Sequence, residues 1–218
     1  MAGADLYWES SWAAEDPAQF PACQEAWSRS CGDIAGLFRA HGVETVCDGA
    51  CGFGAYTLAL AAKGFSVSAF DISPTAAELT RQGLARLGLA AEVKTASLLD
   101  TGYPDGRFDA AVAASVLDHL TEADAQRALA ELRRIVKPGG LLLVSFDTPE
   151  EEDVSLEHEV LPDGSFLYTQ ATDRAGMLFR PCGRPERTAL LEGLETLWER
   201  TTAGGKRLSI HRVPAPRS

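Results

Sequence analysis

The chain has 218 residues, 45% of them hydrophobic, and a net charge of −11, the profile of one ordinary globular domain. That charge argues against DNA or RNA as a partner, because a phosphate backbone rewards Lys and Arg. No apolar run approaches the roughly 20 residues of a membrane span, and the opening residues, M-A-G-A-D-L-Y-W-E, lack the basic and apolar regions of a signal peptide. The cysteines Cys23, Cys31, Cys47, Cys51 and Cys182 are odd in number and show no C-x-x-C spacing, so neither a disulfide framework nor a metal site is expected. A cytoplasmic location without a membrane partner is the expectation.

Asp5 to Pro21 holds Tyr7, Trp8, Trp12 and Phe20 among acids, too aromatic for a disordered tail. It either packs its rings on the core or forms a lid over a ligand. Ala22 to His41 reads as one helix with Ala26, Ile34, Leu37 and Phe38 toward a core and Gly42 as its stop.

Val43 to Gly54, V-E-T-V-C-D-G-A-C-G-F-G, reads as a strand end closed by Asp48 and a glycine-rich turn. Tyr56 to Lys63 then opens a helix directly after the turn. A strand, a glycine turn and a helix in that order make a nucleotide-cradling unit, because small residues admit the ligand and the helix start offers free N–H groups. Phe65 to Phe70 is the next strand. It ends at Asp71, 23 residues after Asp48, where an acid can accept hydrogen bonds from both ribose hydroxyls of an adenosine.

Ser73 and Pro74 predict a helix start, at the cap and first helical positions, for a helix running to Leu87 and stopping near Gly88. Ala91 to Ala96 is a short third strand, Asp105-Gly106 a turn, and Phe108 to Ser115 a small apolar fourth strand. Thr121 caps a further helix, with Asp124 in capping-box position and Ala125, Leu129, Leu132, Ile135 and Val136 on its apolar face. Pro138-Gly139-Gly140 ends it, and Leu141 to Phe146 is a fifth strand, apolar throughout and so covered on both faces. Strands alternating with helices at this spacing imply a doubly wound parallel sheet.

The pattern changes after Phe146. Thr148 to Asp153 is acidic and irregular, either a solvated loop or a surface favouring a cationic acceptor. Glu157 to Gln170 suggests a hairpin around Pro162-Asp163-Gly164, and Met177 to Phe179 is another short apolar run. Pro185 or Glu186 begins a last helix through about Gly193. Glu195 to Thr201 and Arg207 to Arg212 form two closing strands around Ala203-Gly204-Gly205. No internal repeat or long linker divides the chain.

These residues carry a resemblance. From about residue 30 onward, the chain resembles the class I S-adenosylmethionine-dependent methyltransferases. Asp48-Gly49-Ala50-Cys51-Gly52-Phe53-Gly54 is similar to that family's D-x-G-x-G-x-G loop, with Ala50 in place of the first glycine. A negative φ at Ala50 is expected to preserve the turn. Asp71 matches the ribose acid, Phe108-Asp109-Ala110-Ala111-Val112 the fourth strand, and Val136-Lys137-Pro138-Gly139-Gly140 the approach to the fifth. The resemblance implies a Rossmann-like seven-stranded sheet, mostly parallel with an antiparallel C-terminal strand and helices on both faces. Residues 1–218 would be a single domain, with an N-terminal helical lid segment (1–42), a cofactor-binding core (43–146), an insertion over the substrate site (147–184) and a closing helix and strand pair (185–218).

The cofactor implied is S-adenosylmethionine, with S-adenosylhomocysteine as product. Backbone at Asp48, Gly49, Ala50, Cys51 and Gly52 would hold the methionine end. Asp71 would hold the ribose and Ile72 the adenine face. Ser97 stands where many relatives carry an acid, so Ser97 and Leu98 would flank the ring's other edge, with backbone N–H groups helping. Ser115 and Val116 would lie near the methyl. The reaction expected is in-line methyl transfer to a small-molecule acceptor, with proximity as the main contribution.

Candidates around the acceptor are Asp118, His119 and Asp147, with His158 in the insertion and Tyr7, Trp8 and Trp12 in the lid segment. His119 either serves as a general base or has no catalytic task. The tryptophans either face a sulfonium by cation–π attraction or pack in the core. No thiol chemistry is expected of Cys47 or Cys51. The alternatives are a non-catalytic S-adenosylmethionine-binding regulator, which would lack a pocket open to the methyl, and an NAD(P)-dependent oxidoreductase, which Asp48 and the spacing of Gly52 and Gly54 oppose.

Overall fold

A computed structural model describes residues 3–202 and 205–215. The N-terminal segment is a helix, α1 (Gly3–Ala14), followed by a 3-10 turn at Pro17–Gln19. The single helix expected over Ala22 to His41 is two, α2 (Phe20–Ser30) and α3 (Gly32–Ala40). Buried Cys31 leaves helical geometry between them, with ψ at 5°, and Gly32, a poor helix former, restarts the chain. Gly42, at φ 71°, makes the stop.

Then come β1 (Thr45–Gly49), α4 (Ala55–Ala62), β2 (Ser66–Asp71) and α5 (Pro74–Leu87). Ser73 Oγ accepts the Ala76 N–H at 3.0 Å, and Gly88 ends α5 at φ 63°, so both ends of this helix are fixed by residues whose chemistry is local. Next are β3 (Glu92–Thr95), β4 (Phe108–Ala114), α6 (Glu122–Ile135) and β5 (Val136–Phe146). Thr121 Oγ1 caps α6 by accepting the Asp124 N–H.

Strand β5 begins five residues earlier than the sequence suggests. Val136 pairs with Phe108 and Leu141 with Ala110, so Lys137 to Gly140 form a bulge inside the strand. A Cβ on Gly140 would lie 2.6 Å from the Asp109 carbonyl, and only glycine fits there. The acid run expected to be irregular contains a short helix, α7 (Glu151–Ser155), started by a capping box between Glu150 and Asp153. The insertion continues as a three-stranded antiparallel sheet of β6 (His158–Val160), β7 (Phe166–Tyr168) and β8 (Leu178–Phe179). Last are α8 (Arg184–Leu190), β9 (Glu195–Thr201) and β10 (Arg207–Arg212). Ala203 and Gly204, in the turn expected between the last two strands, lie outside the described residues.

The main sheet has the order β3-β2-β1-β4-β5-β10-β9, with β10 antiparallel to both neighbours and the remaining pairs parallel. Side chains alternate between two cores. Val46, Val112 and Leu143 pack with Ile34, Phe38 and Leu60 on one face. Cys47, Ala113 and Val144 pack with Leu129, Leu132 and Ile135 of α6 on the other. Burial on both faces accounts for the continuous apolar run in β5. No described helix is long and apolar enough to cross a membrane.

Strand β1 has β2 on one side and β4 on the other, so the strand order reverses there. In such sheets the crevice outside the carboxyl ends of the strands at the reversal is the binding position. Tyr7 of α1 packs on Tyr168, Met177 and Phe179, which joins the N-terminal helix to the small sheet.

Candidate active site

The glycine-rich turn is tied to β2 at two points. Cys51 N–H donates to the Phe70 carbonyl at 3.0 Å, and Gly52 N–H donates to Asp71 Oδ2 at 2.9 Å. Asp71 Oδ1 accepts the Ser73 N–H at 2.9 Å. A carboxylate fixed in this way at the end of β2 suits a vicinal diol. Burial pushes the Asp71 carboxyl up, against the Ser73 and Gly52 N–H groups, which favour the ionised form.

Ala50 corrects the sequence reading. Its φ is +59°, not negative, so the turn keeps a glycine-like backbone with a side chain on it, at a cost of roughly 1–2 kcal/mol. Gly52 and Gly54 are also left-handed, at φ 53° and 86°. A Cβ on Gly52 would stand 2.9 Å from the indole of Trp12.

A cavity of about 230 Å³ opens at this point. Ala50, Asp71, Ile72, Ser97, Leu98, Ser115 and Val116 line it, as do His119, Trp8 and Trp12. Asp48, Gly49, Cys51 and Gly52 do not. Asp48 is turned beneath α4, where its Oδ2 accepts the Thr57 hydroxyl at 2.5 Å. Burial raises its carboxyl to about 6, with Thr57 opposing. Gly49 packs against Phe70 and Leu98, and buried Cys51 contacts Thr80.

Tyr7, Asp147 and His158 also lie outside the cavity wall. His158 stacks on Phe166 at 4.0 Å between ring centroids. Asp147 faces Lys206, with Oδ1 3.0 Å from Nζ. Sequence reasoning missed Phe70, Ala96, Leu99, Leu120 and Asp124, which complete the lining. Leu99 follows the expected pair at 97–98 and Leu120 follows His119, so extending each expected segment by one residue would have found them, whereas Asp124 enters from the first turn of α6.

His119 sits in a 3-10 turn after β4. Its Nδ1 lies 3.0 Å from the Leu178 carbonyl, which can only accept, so Nδ1 carries an N–H and Nε2 is the ring nitrogen left for a ligand. Trp8 meets the imidazole edge-on, 4.9 Å between centroids. Next to it, Asp118 is fully buried, and its Oδ2 accepts the Asp147 N–H at 2.6 Å. Burial pushes the Asp118 carboxyl up, and His119 opposes the rise.

The helix carrying Trp8 and Trp12 is latched to the same rim. Glu9 Oε2 accepts the Ser73 hydroxyl at 2.6 Å, and Glu9 Oε1 accepts the Thr75 hydroxyl at 2.6 Å. Thr75 N–H, in the first turn of α5, also donates to Glu9, where the helix dipole favours a carboxylate.

A doubly wound sheet with a glycine turn after β1, an acid at the end of β2 and a cavity between them defines an adenosine-nucleotide-binding α/β protein. The comparisons narrow the class. Residues 46–140 match the family model described as a methyltransferase domain. The ubiquinone/menaquinone biosynthesis C-methyltransferase of Psychromonas ingrahamii is 30% identical over 132 residues, 59% of this chain and 52% of that protein. The demethylmenaquinone methyltransferase of Thermus thermophilus is 33% identical over 137 residues, 62% of this chain and 60% of that protein. The chain thus spans about half the length of these curated relatives. An S-adenosylmethionine-dependent methyltransferase from Methanosarcina mazei superimposes with a TM-score of 0.69 at 23% identity, covering 82% of this chain and 97% of its own. The magnesium protoporphyrin IX methyltransferase of Synechocystis, solved with S-adenosylmethionine bound, gives 0.61 at 17%, covering 85% and 78%. The methyltransferase-domain match thus lies on residues 46–140, the stretch that holds the glycine turn, Asp71 and the fourth strand.

Proposed function

We propose that the protein transfers a methyl group from S-adenosylmethionine to a small-molecule acceptor. The observation that carries this reading is Asp71, which lines the cavity at the end of β2 while its two oxygens hold the Gly52 N–H of the glycine turn and the Ser73 N–H before α5. The cavity suits the cofactor: a carboxylate for the ribose, an apolar wall of Ile72, Leu98 and Leu99 for the adenine, and the Trp8 and Trp12 rings for a cation. When bound, the cofactor supplies an electrophilic methyl on a sulfonium.

The chain's own residues then orient and exclude. Ala50, the residue of the turn at the cavity wall, faces the methionine end, and Ser115 and Val116 flank the methyl. His119 Nε2 is available to take a proton from the acceptor. Residues 1–42 act as a lid over the cofactor core of 43–146, with 147–184 completing the substrate side and 185–218 closing the sheet. A cavity reaching Ser115, Val116 and His119 supports an enzyme over a non-catalytic binder. The net charge of −11 supports a small molecule over a nucleic acid. Five free cysteines, four of them buried, support a cytoplasmic location.

Calorimetric titration with S-adenosylmethionine, S-adenosylhomocysteine, NADH and NADPH tests the cofactor. Micromolar binding of the two sulfur nucleosides alone is the expected result, and binding of the nicotinamides alone overturns the reading. With an acceptor found by screening, His119→Ala should lower turnover by about 10²–10⁴ if the imidazole is the base. Unchanged turnover would leave proximity as the main contribution.

A further inference from the structure

Ser115 is the second non-glycine residue with a left-handed backbone, at φ +50°. It ends β4 at the cavity wall, beside Val116 and His119. Its N–H donates to Ser145 Oγ at 3.0 Å, which fixes the strained turn. Strained backbone of this kind persists where the surroundings over-determine it and aim a side chain.

The Ser115 hydroxyl has a cation behind it. Lys206 Nζ, from the far end of the chain, donates to Ser115 Oγ at 2.6 Å and pairs with Asp147 Oδ1 at 3.0 Å. Asp147 is in turn held by its N–H to the buried Asp118 carboxylate, whose Oδ1 has no partner among the described residues. An ammonium has only donors, so Ser115 Oγ accepts. Its single hydroxyl proton is left for Ser145 Oγ, at a long 3.4 Å, or for a ligand in the cavity. A hydroxyl that accepts from a cation is a stronger donor. Lys206 reaches Ser115 as a donor, not as a base that would turn Ser115 into a nucleophile.

We propose that Ser115, polarised by Lys206, is the subsite for an ionised hydroxyl oxygen (a phenolate or enolate) on the methyl acceptor. Ser115 touches the oxygen, and Lys206 is the positioning residue acting through it. One hydroxyl donor suits one oxygen rather than the two of a carboxylate. The neighbouring wall of Trp8, Val116 and Leu120 suits a flat apolar body. The inference rests on the methyl-transfer reading and names the acceptor class for that site.

The test uses the full chain saturated with S-adenosylhomocysteine, whose binding is measured first by calorimetry. 4-Nitrophenol is then titrated with nitrobenzene as the matched neutral probe, and the visible band of nitrophenolate reports the ionisation of the bound phenol. The wild type should bind nitrophenol about tenfold or more tighter than nitrobenzene, the scale of a hydrogen bond to a charged group, and lower its apparent pKa. Lys206→Met should remove the preference and the pKa shift, Lys206→Arg should retain most of both, and Ser115→Ala should remove both in a protein with an unchanged circular dichroism spectrum.

Equal binding of the two probes, binding of neither, or a pKa shift that survives Lys206→Met would each overturn the proposal. Failure of S-adenosylhomocysteine to bind at the first step would overturn the methyl-transfer reading itself, and is seen separately.

Discussion

Ser73 Oγ donates to Glu9 Oε2 at 2.6 Å, two residues beyond the acid that lines the cavity. The hydroxyl that caps α5 through the Ala76 N–H is thus also the catch for α1. Opening the N-terminal helix therefore costs hydrogen bonds at the start of α5. Glu9→Ala should remove the three hydrogen bonds of the catch, worth about 1 kcal/mol each, and speed S-adenosylhomocysteine release by up to roughly a hundredfold. Stopped-flow fluorescence of Trp8 and Trp12 reads that rate. An unchanged rate would mean that α1 stays docked by its aromatic contacts alone.

Asp71→Asn should weaken cofactor binding by about 1.5–3 kcal/mol, the usual value for hydrogen bonds to a charged group. The amide also loses one of the acceptors for the Gly52 and Ser73 N–H groups, so a thermal melt must accompany the titration. Wild-type affinity in the folded variant would remove Asp71 from the ribose site.

Asp48 predicts a pH effect. Its carboxyl rises from 3.8 to about 6 on folding, through burial against the opposing Thr57 bond. The folded state therefore favours the protonated form. Below about pH 3 the group is protonated in both states and there is no penalty. Stability falls as pH rises toward 6 and levels off above it. Asp48→Asn should be more stable than the wild type by up to about 3 kcal/mol above pH 6, at roughly 1.4 kcal/mol per pH unit, and show no gain below about pH 3. Urea unfolding across that range measures it. A constant difference between the two proteins would show that Asp48 does not titrate there.

Ala50→Gly should relieve the left-handed strain at φ +59°. The gain of roughly 1–2 kcal/mol is offset by about 0.5–1 kcal/mol of extra chain entropy in glycine. A net stabilisation of up to about 1 kcal/mol, read as a higher Tm, is expected. Gly52→Ala does the reverse, since its Cβ would push against Trp12 as well as strain the backbone.

Much of the framework was legible because its signals are local. Ser73, Pro74 and Gly88 bound α5 by their own chemistry, and the Pro162-Asp163-Gly164 turn sets the β6–β7 hairpin. The strand bounds at Glu195–Thr201 and Arg207–Arg212 are those the alternation gives. The loop sequence also located the cavity through Asp71 and the fourth strand's end. What it left out depends on contacts distant in the chain. Residues 137–140 read as a helix end, whereas pairing with β4 makes them a bulge in β5. The sign of φ at Ala50 is imposed by the glycine geometry of the whole turn. Lys206 reaches Ser115 across 91 positions and Glu9 reaches Ser73 across 64, and no local pattern announces either contact. The Ser115 end of the cavity was thus less legible than the Asp71 end, because its polar groups come from segments that meet only after folding.

The place of β10 bears on how the chain is made. The last strand lies between β5 and β9 rather than at the sheet's rim. On a ribosome it emerges after both partners, so the apolar stretch Leu141–Phe146 must wait with an open side while the rest of the sheet forms. Nascent chains in that state are prone to edge-to-edge association, and a chaperone that shields β5 would have most to offer in that interval. A nonsense mutation before Arg207 would make the condition permanent, leaving β9 without its partner and β5 as a sticky border.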